Sequence, residues 1–206
     1  MTVTKILLLT AFFGHLICAW CDRLLICTPS GRFGFAQMND NEKMSETFKK
    51  MPLKNPLISI LLGVLAMTME LCGYIGLYEW MKPFSVIYAV IILASAILLF
   101  MPGVVHHVFC GVMEWFYIRL GRTENARQAV AEFFKKTSVT MYLCFLGQAI
   151  FAVTFFIAVI SGQTALPQWC CIFNIVIFLL VLTPFKIPGS GNLAGAAMFL
   201  GLFFVI

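Results

Sequence analysis

The chain has 206 residues, of which 61% are hydrophobic and only 11% charged, with a mean hydropathy of +0.95. A water-soluble fold of this length cannot hide so much apolar surface, so composition excludes a soluble globular domain. The net charge of +5 comes from short basic clusters between apolar runs, which gives no signal for nucleic-acid binding.

Long continuous apolar runs satisfy their backbone groups internally as helices, and the alternating pattern of a membrane barrel is absent. The predicted fold is an all-α integral membrane bundle of six to seven transmembrane helices with short interfacial helices, one polytopic domain over residues 1–206. The first run, Ile6–Trp20 after Lys5, has the look of a signal peptide. His15 and the lack of a clear Ala-x-Ala site favour a retained helix. The connector over about 21–56 is the longest polar stretch. In it Met44, Phe48 and Met51 stand at helical spacing among Lys49, Lys50 and Lys54, which predicts a helix lying on the membrane surface. Leu57–Tyr78 spans, Glu79–Pro83 turns, and Phe84–Met101 spans back. Pro102-Gly103 is expected to end that helix before Val104–Leu120 begins. Thr123 caps an amphipathic interfacial helix over about 123–136, followed by the span Val139–Ile160. Trp169–Leu182 and the short Leu193–Ile206 complete the set, the latter with small residues at Gly191, Gly195, Ala197 and Gly201 that permit close packing.

Seven spans in series put eight basic residues on one side (Lys5, Lys82, Arg119, Arg122, Arg127, Lys135, Lys136 and Lys186). Six lie on the other: Arg23, Arg32, Lys43, Lys49, Lys50 and Lys54. That small bias gives a cytoplasmic N-terminus and an exterior C-terminus.

Ionisable groups within apolar spans are costly and face a protein interior or a wet cavity. His15, Asp22, Glu70, His106, His107, Glu114, Arg119, Gln148 and Asn174 are in that position. His107 and Glu114, seven residues apart, share one helical stripe about 10 Å apart along the axis. The predicted ligand-binding or proton-relay residues are therefore Glu70, His107 and Glu114, with Asp22 and His106 at the mouth of their cavity. No His-x-x-x-His or His-Glu-x-x-His spacing points to a metal, and no cofactor is indicated. The eight cysteines form neither a disulfide framework nor a four-ligand zinc spacing and read as small hydrophobes, Cys18-Ala-Trp-Cys21 included.

Several stretches resemble a bacterial family of uncharacterised multi-pass membrane proteins. They are Trp20-Cys21-Asp22-Arg23-Leu24-Leu25, Gly73-Tyr74-Ile75-Gly76-Leu77-Tyr78, His106, and Pro188-Gly189-Ser190-Gly191-Asn192-Leu193-Ala194-Gly195. Members usually carry Gly-Asp where this chain has Cys21-Asp22. The resemblance implies an integral membrane location, in the bacterial cytoplasmic membrane. A second comparison is with membrane hydrolases of the alkaline ceramidase type, whose zinc is held with a His pair in the last helix. Asp22 and His106-His107 fit that scheme, but Leu193–Ile206 has no histidine.

The first functional reading is a non-enzymatic bundle, with membrane lipids around it, that binds a lipid or small amphiphile or moves a solute through a partly polar cavity. The alternatives are a metal-dependent lipid hydrolase with Asp22, His106 and His107 as ligands, and an assembly subunit whose Gly191/Gly195 face meets another chain. The oligomeric state is left open.

Overall fold

A computed structural model describes residues 1–206. Its helices are α1 (Val3–Ile26), α2 (Asn41–Phe48), α3 (Lys54–Met81), α4 (Val86–Arg119), α5 (Glu124–Thr137), α6 (Val139–Ile160), α7 (Ile175–Leu182) and α8 (Ser190–Val205). A two-residue hairpin pairs Cys27–Thr28 with Gly31–Arg32, and short 3-10 turns cover Phe35–Asn39, Gln168–Ile172 and Thr183–Phe185.

The chain is all-α, and four helical stretches are long and apolar enough to cross a membrane: α1, α3, α4, and α6 with α5 running into it. Large apolar side chains such as Leu61, Ile87, Val153, Leu180 and Phe204 stand more than half exposed on the outer surface, which suits hydrocarbon and not water.

Two of the expected spans are not separate helices. Phe84–Met101 and Val104–Leu120 are one helix, α4, which continues through Pro102 for 34 residues, about 51 Å. Proline removes one backbone donor and crowds the preceding turn. A packed bundle tolerates this because neighbouring helices hold the backbone on either side of the proline. Here a Cβ on Gly103 would stand 3.2 Å from Met67 and 3.3 Å from Cys144, so α3 and α6 press on α4 one residue beyond the proline. The first helix likewise runs past Trp20 to Ile26, and the connector proper begins at Cys27.

The small residues show how the rods pack. A Cβ on Gly14 would lie 2.7 Å from the Ala66 carbonyl oxygen and 2.9 Å from the Glu70 nitrogen, so α1 and α3 touch backbone to backbone. Gly147 places α6 directly against the α4 backbone at the Leu99 nitrogen. Gly195 and Gly201 are used within the chain, against His15 and Phe173, so the small-residue stripe of α8 is largely covered from inside.

These contacts give each helix a direction. Ala11 meets Gly73 and Leu7 meets Gly76, so α3 runs antiparallel to α1; Gly103–Cys144 and Leu99–Gly147 set α6 antiparallel to α4. The Gln168 amide donates to the Ile160 carbonyl at the end of α6, and the Asn174 amide to the Ala152 carbonyl further along it. The segment Gln168–Leu182 thus returns beside α6 as two short helices around a buried, side-chain-capped Asn174. Then α8 runs back until Phe203 lies under Lys5. One end of the bundle carries residues 27–53, α5 and the turn at Lys186; the other carries both termini and the turns at 82–85 and 161–167.

The end with α2 and α5 is a packed cap. The stripe Met44, Phe48 and Met51 is fully buried, not turned to lipid: it packs on the last turns of α4 at Met113, Tyr117 and Ile118, with Phe48 and Tyr117 ring centroids 5.8 Å apart. The length of α4 beyond the roughly 30 Å of hydrocarbon supplies this second core. Thr123 caps α5 by accepting from the Ala126 nitrogen, as its position predicts, and Ala126 and Val130 face the same core. Gly121 and Arg122 both take left-handed backbone to end α4, and Arg122 Nε then donates to the Phe48 carbonyl at 2.9 Å. Outside the membrane helices, Arg127 and Gln128 beside Glu124 hold its carboxyl down at about 2.

Gly147→Ala drives a methyl into the α4 backbone, and overpacking of this kind costs about 1–3 kcal/mol. The detergent-solubilised protein is expected to melt lower with this change. Gly34→Ala, whose methyl meets nothing within 4 Å, is expected to leave the midpoint in place.

Candidate functional site

Between the main core and the cap lies a cavity of about 600 Å³. All five residues singled out by residue type, Asp22, Glu70, His106, His107 and Glu114, line it. Glu70 lies with His15 toward the main core, while Glu114 lies two turns beyond His107 toward the cap, both carboxyls buried. The shared stripe of His107 and Glu114 does form: Gly111 between them packs on Ile60, and both acidic and imidazole groups face the cavity.

A continuous chain of polar contacts runs along one wall, hydrogen-bonded from His15 through Asn192 to Asp22 and again from His107 to Ser59. Asn192 on α8 donates its amide N–H to Asp22 Oδ2 at 2.8 Å, so its oxygen is left as the acceptor. His15 therefore presents a protonated Nδ1 to Asn192 Oδ1 (3.2 Å), and the same nitrogen lies 3.4 Å from Glu70 Oε2. At the other end, His107 Nδ1 is 3.7 Å from Asp22 Oδ1. His107 Nε2 lies 3.1 Å from the Ser59 carbonyl and 3.3 Å from Ser59 Oγ, which itself donates to the Cys21 carbonyl. Nε2 is thus the protonated nitrogen of His107, and Nδ1 turns its lone pair toward Asp22. The chain Glu70–His15–Asn192–Asp22–His107–Ser59 crosses α3, α1, α8 and α4.

His106 belongs to a different wall. Thr140 Oγ1 donates to the Thr137 carbonyl, so His106 Nδ1 donates to Thr140 at 3.2 Å. Its Nε2 then accepts from Cys110 Sγ at 3.6 Å. The ligand set Asp22, His106 and His107 is therefore not assembled. Ligand atoms of Cys18, Asp22 and His107 lie within 4.8 Å of one another instead.

Four residues of the lining each carry a buried polar atom with no hydrogen-bond partner in the protein: Glu70 (Oε1), Glu114 (Oε2), His15 (Nε2) and Tyr74 (hydroxyl). Native interiors leave few such groups, and those left over mark a place where something else supplies the bond. The opposite lining is apolar, with Leu99, Phe100, Phe145 and Ile175. Phe145 is also 57% exposed, so the cavity reaches the outer face of the bundle beside α6. The only arginine or lysine on the wall is Arg32, at the exposed rim, where it donates to the Lys186 carbonyl.

Sequence reasoning flagged His15 as a polar residue in an apolar run but did not place it in the site, and it missed Cys18, Ser59 and Asn192. A signal for two of them was present: Cys18 and Asp22 are four apart on one helix, and Asn192 precedes the last apolar run.

Neither a curated protein nor a solved structure is similar to the chain at a significant level. A family profile, however, matches it from residue 1 to residue 206. The chain belongs to the family of unknown function DUF6796.

Proposed function

We propose that this protein is a multi-pass membrane protein that binds a small amphiphile in the cavity between its membrane core and its cap. The observation that carries this reading is the pairing of partnerless buried polar atoms with an apolar wall. Glu70, Glu114, His15 and Tyr74 offer hydrogen bonds to a head group, while Leu99, Phe100 and Ile175 receive a chain. Two buried carboxyls and no buried cation favour a head rich in N–H or O–H donors, such as an amine or a polyol. The exposed Phe145 supports lateral access from the bilayer. A carrier version of the same reading adds movement of the bound species across the membrane, which uptake into proteoliposomes detects.

We also propose six crossings: α1, α3, α4, α6, the broken segment Gln168–Leu182, and α8. The support is the distribution of charge over the two ends of the bundle. With α4 continuous, Arg119, Arg122, Arg127, Lys135 and Lys136 fall at the same end as Arg23, Arg32, Lys43, Lys49, Lys50, Lys54 and Lys186. Only Lys5 and Lys82 lie at the other. The eight-to-six split obtained with seven spans in series becomes twelve to two. Positive loops stay inside, so the cap is cytoplasmic and both termini face the opposite side of the bacterial cytoplasmic membrane. This reverses the expected orientation of the N-terminus.

Binding of a long-chain alkylamine to the purified protein is expected to weaken about tenfold or more in Glu70→Gln, since a hydrogen bond to a charged group is worth about 1.5–3 kcal/mol. An alkyl sulfate of equal chain length is expected to bind less well than the amine. Unchanged affinity in both Glu70→Gln and Glu114→Gln would remove the cavity from the function. For the topology, a C-terminal alkaline phosphatase fusion is expected to be active and a C-terminal green fluorescent protein fusion dark; the reverse pattern would exclude the six-crossing arrangement.

A further inference from the structure

The amphiphile reading makes no use of Cys18 or of the side of Asp22 that faces His107. We infer that Cys18, Asp22 and His107 form a binding site for one late first-row divalent metal ion, zinc by its ligand chemistry, with an open coordination position toward the cavity. Cys18 and Asp22 stand four residues apart on α1 and so project from one face, and α4 brings His107 against that face. Two ligands about 2.1 Å from a tetrahedral ion stand about 3.4 Å apart. His107 Nδ1 and Asp22 Oδ1 are already 3.7 Å apart, and the three ligand atoms lie within 4.8 Å of one another. Small side-chain rotations close the remainder.

The surroundings are those of a metal ligand set. A ligating histidine donates its other ring N–H to a carbonyl or carboxylate, which fixes the tautomer and aims the free nitrogen at the metal. His107 does this through Nε2 and the Ser59 carbonyl. Its ring is pressed on the α3 backbone at Gly63, where a Cβ would collide with Nε2. Asp22 has one oxygen occupied by Asn192, itself held by His15, and this leaves Oδ1 for the ion. Independently, Glu70 and His15, both more than nine-tenths buried, line the same cavity, and each holds a polar atom (Oε1 and Nε2) without a partner in the protein.

The donor set selects the ion. A thiolate with an imidazole suits zinc and its neighbours and disfavours magnesium and calcium, which take oxygen ligands. Thiolate and carboxylate together balance a charge of two. Binding releases the Cys18 thiol proton to solvent. Three protein ligands with a fourth position free is the pattern of sites that bind an exchangeable ligand, not of purely structural ones.

The test is titration of the metal-stripped, detergent-purified protein with Co²⁺, followed by elemental analysis of bound metal. One ion per chain is expected, with a thiolate-to-cobalt charge-transfer band. Cys18→Ser is expected to abolish that band, and Asn192→Ala to lower affinity about 10–100-fold as loss of an outer-shell partner does. Cys21→Ser and His106→Ala are expected to retain both band and stoichiometry. The site is overturned if the wild-type protein takes up no cobalt saturably, if its cobalt form lacks the sulfur band, or if Cys18→Ser and His107→Ala bind as wild type does. Glu70→Gln separates the two readings: it is expected to weaken alkylamine binding while leaving the cobalt band in place.

Discussion

Carboxyl and imidazole groups placed inside an apolar bundle must find partners there, because bulk water does not reach them and an unpaired charge in such surroundings costs several kcal/mol. The chain Glu70–His15–Asn192–Asp22–His107–Ser59 meets that requirement in part, leaving Glu70 Oε1 and His15 Nε2 without a partner, and ties four helices to one another. Each link joins residues on different helices, so none of the four can rotate without losing a polar contact at its own position. Apolar packing alone is less selective, since one lipid-like face of a helix serves nearly as well as another.

Close packing makes the network reachable. Gly14 brings the α1 and α3 backbones into contact at the level of Glu70, Gly63 lets the His107 ring lie on α3, and Gly195 admits the His15 ring beside α8. A larger side chain at any of these would push apart the groups that the hydrogen bonds connect. The cap acts at the other end: Arg122 ties the end of α4 to α2, and Arg32 ties the hairpin to the turn before α8. The cavity is what remains between two well-packed clusters, and its polar wall is the exposed edge of the network.

Much of this was readable from residue types. Composition named lipid as the solvent for the outer surface, and the runs around Leu57–Tyr78 and Val139–Ile160 became α3 and α6 nearly as expected. Ionisable residues within apolar runs pointed to the wall of one cavity, because burial of such groups is expensive wherever it occurs. Two expectations failed for local reasons. Pro102-Gly103 carries a strong signal for a helix end, yet packing on both sides of α4 overrides it. The stripe Met44, Phe48 and Met51 reads the same whether it meets lipid or protein, and only the overhang of α4 supplies a protein surface for it.

Apolar content and the spacing of charged residues along the chain are enough to read long helices apolar enough to cross a membrane and polar groups set among them, because the cost of burying charge depends on residue type and not on neighbours far away in sequence. Which polar groups meet is another matter. His15 and Asn192 are 177 residues apart, and Ser59 and His107 are 48 apart. Such pairings, and with them the end of the bundle at which the basic loops fall, follow from the order and direction of helices in the bundle, a property that arises when backbones approach closely at glycine and not from any single run of residues.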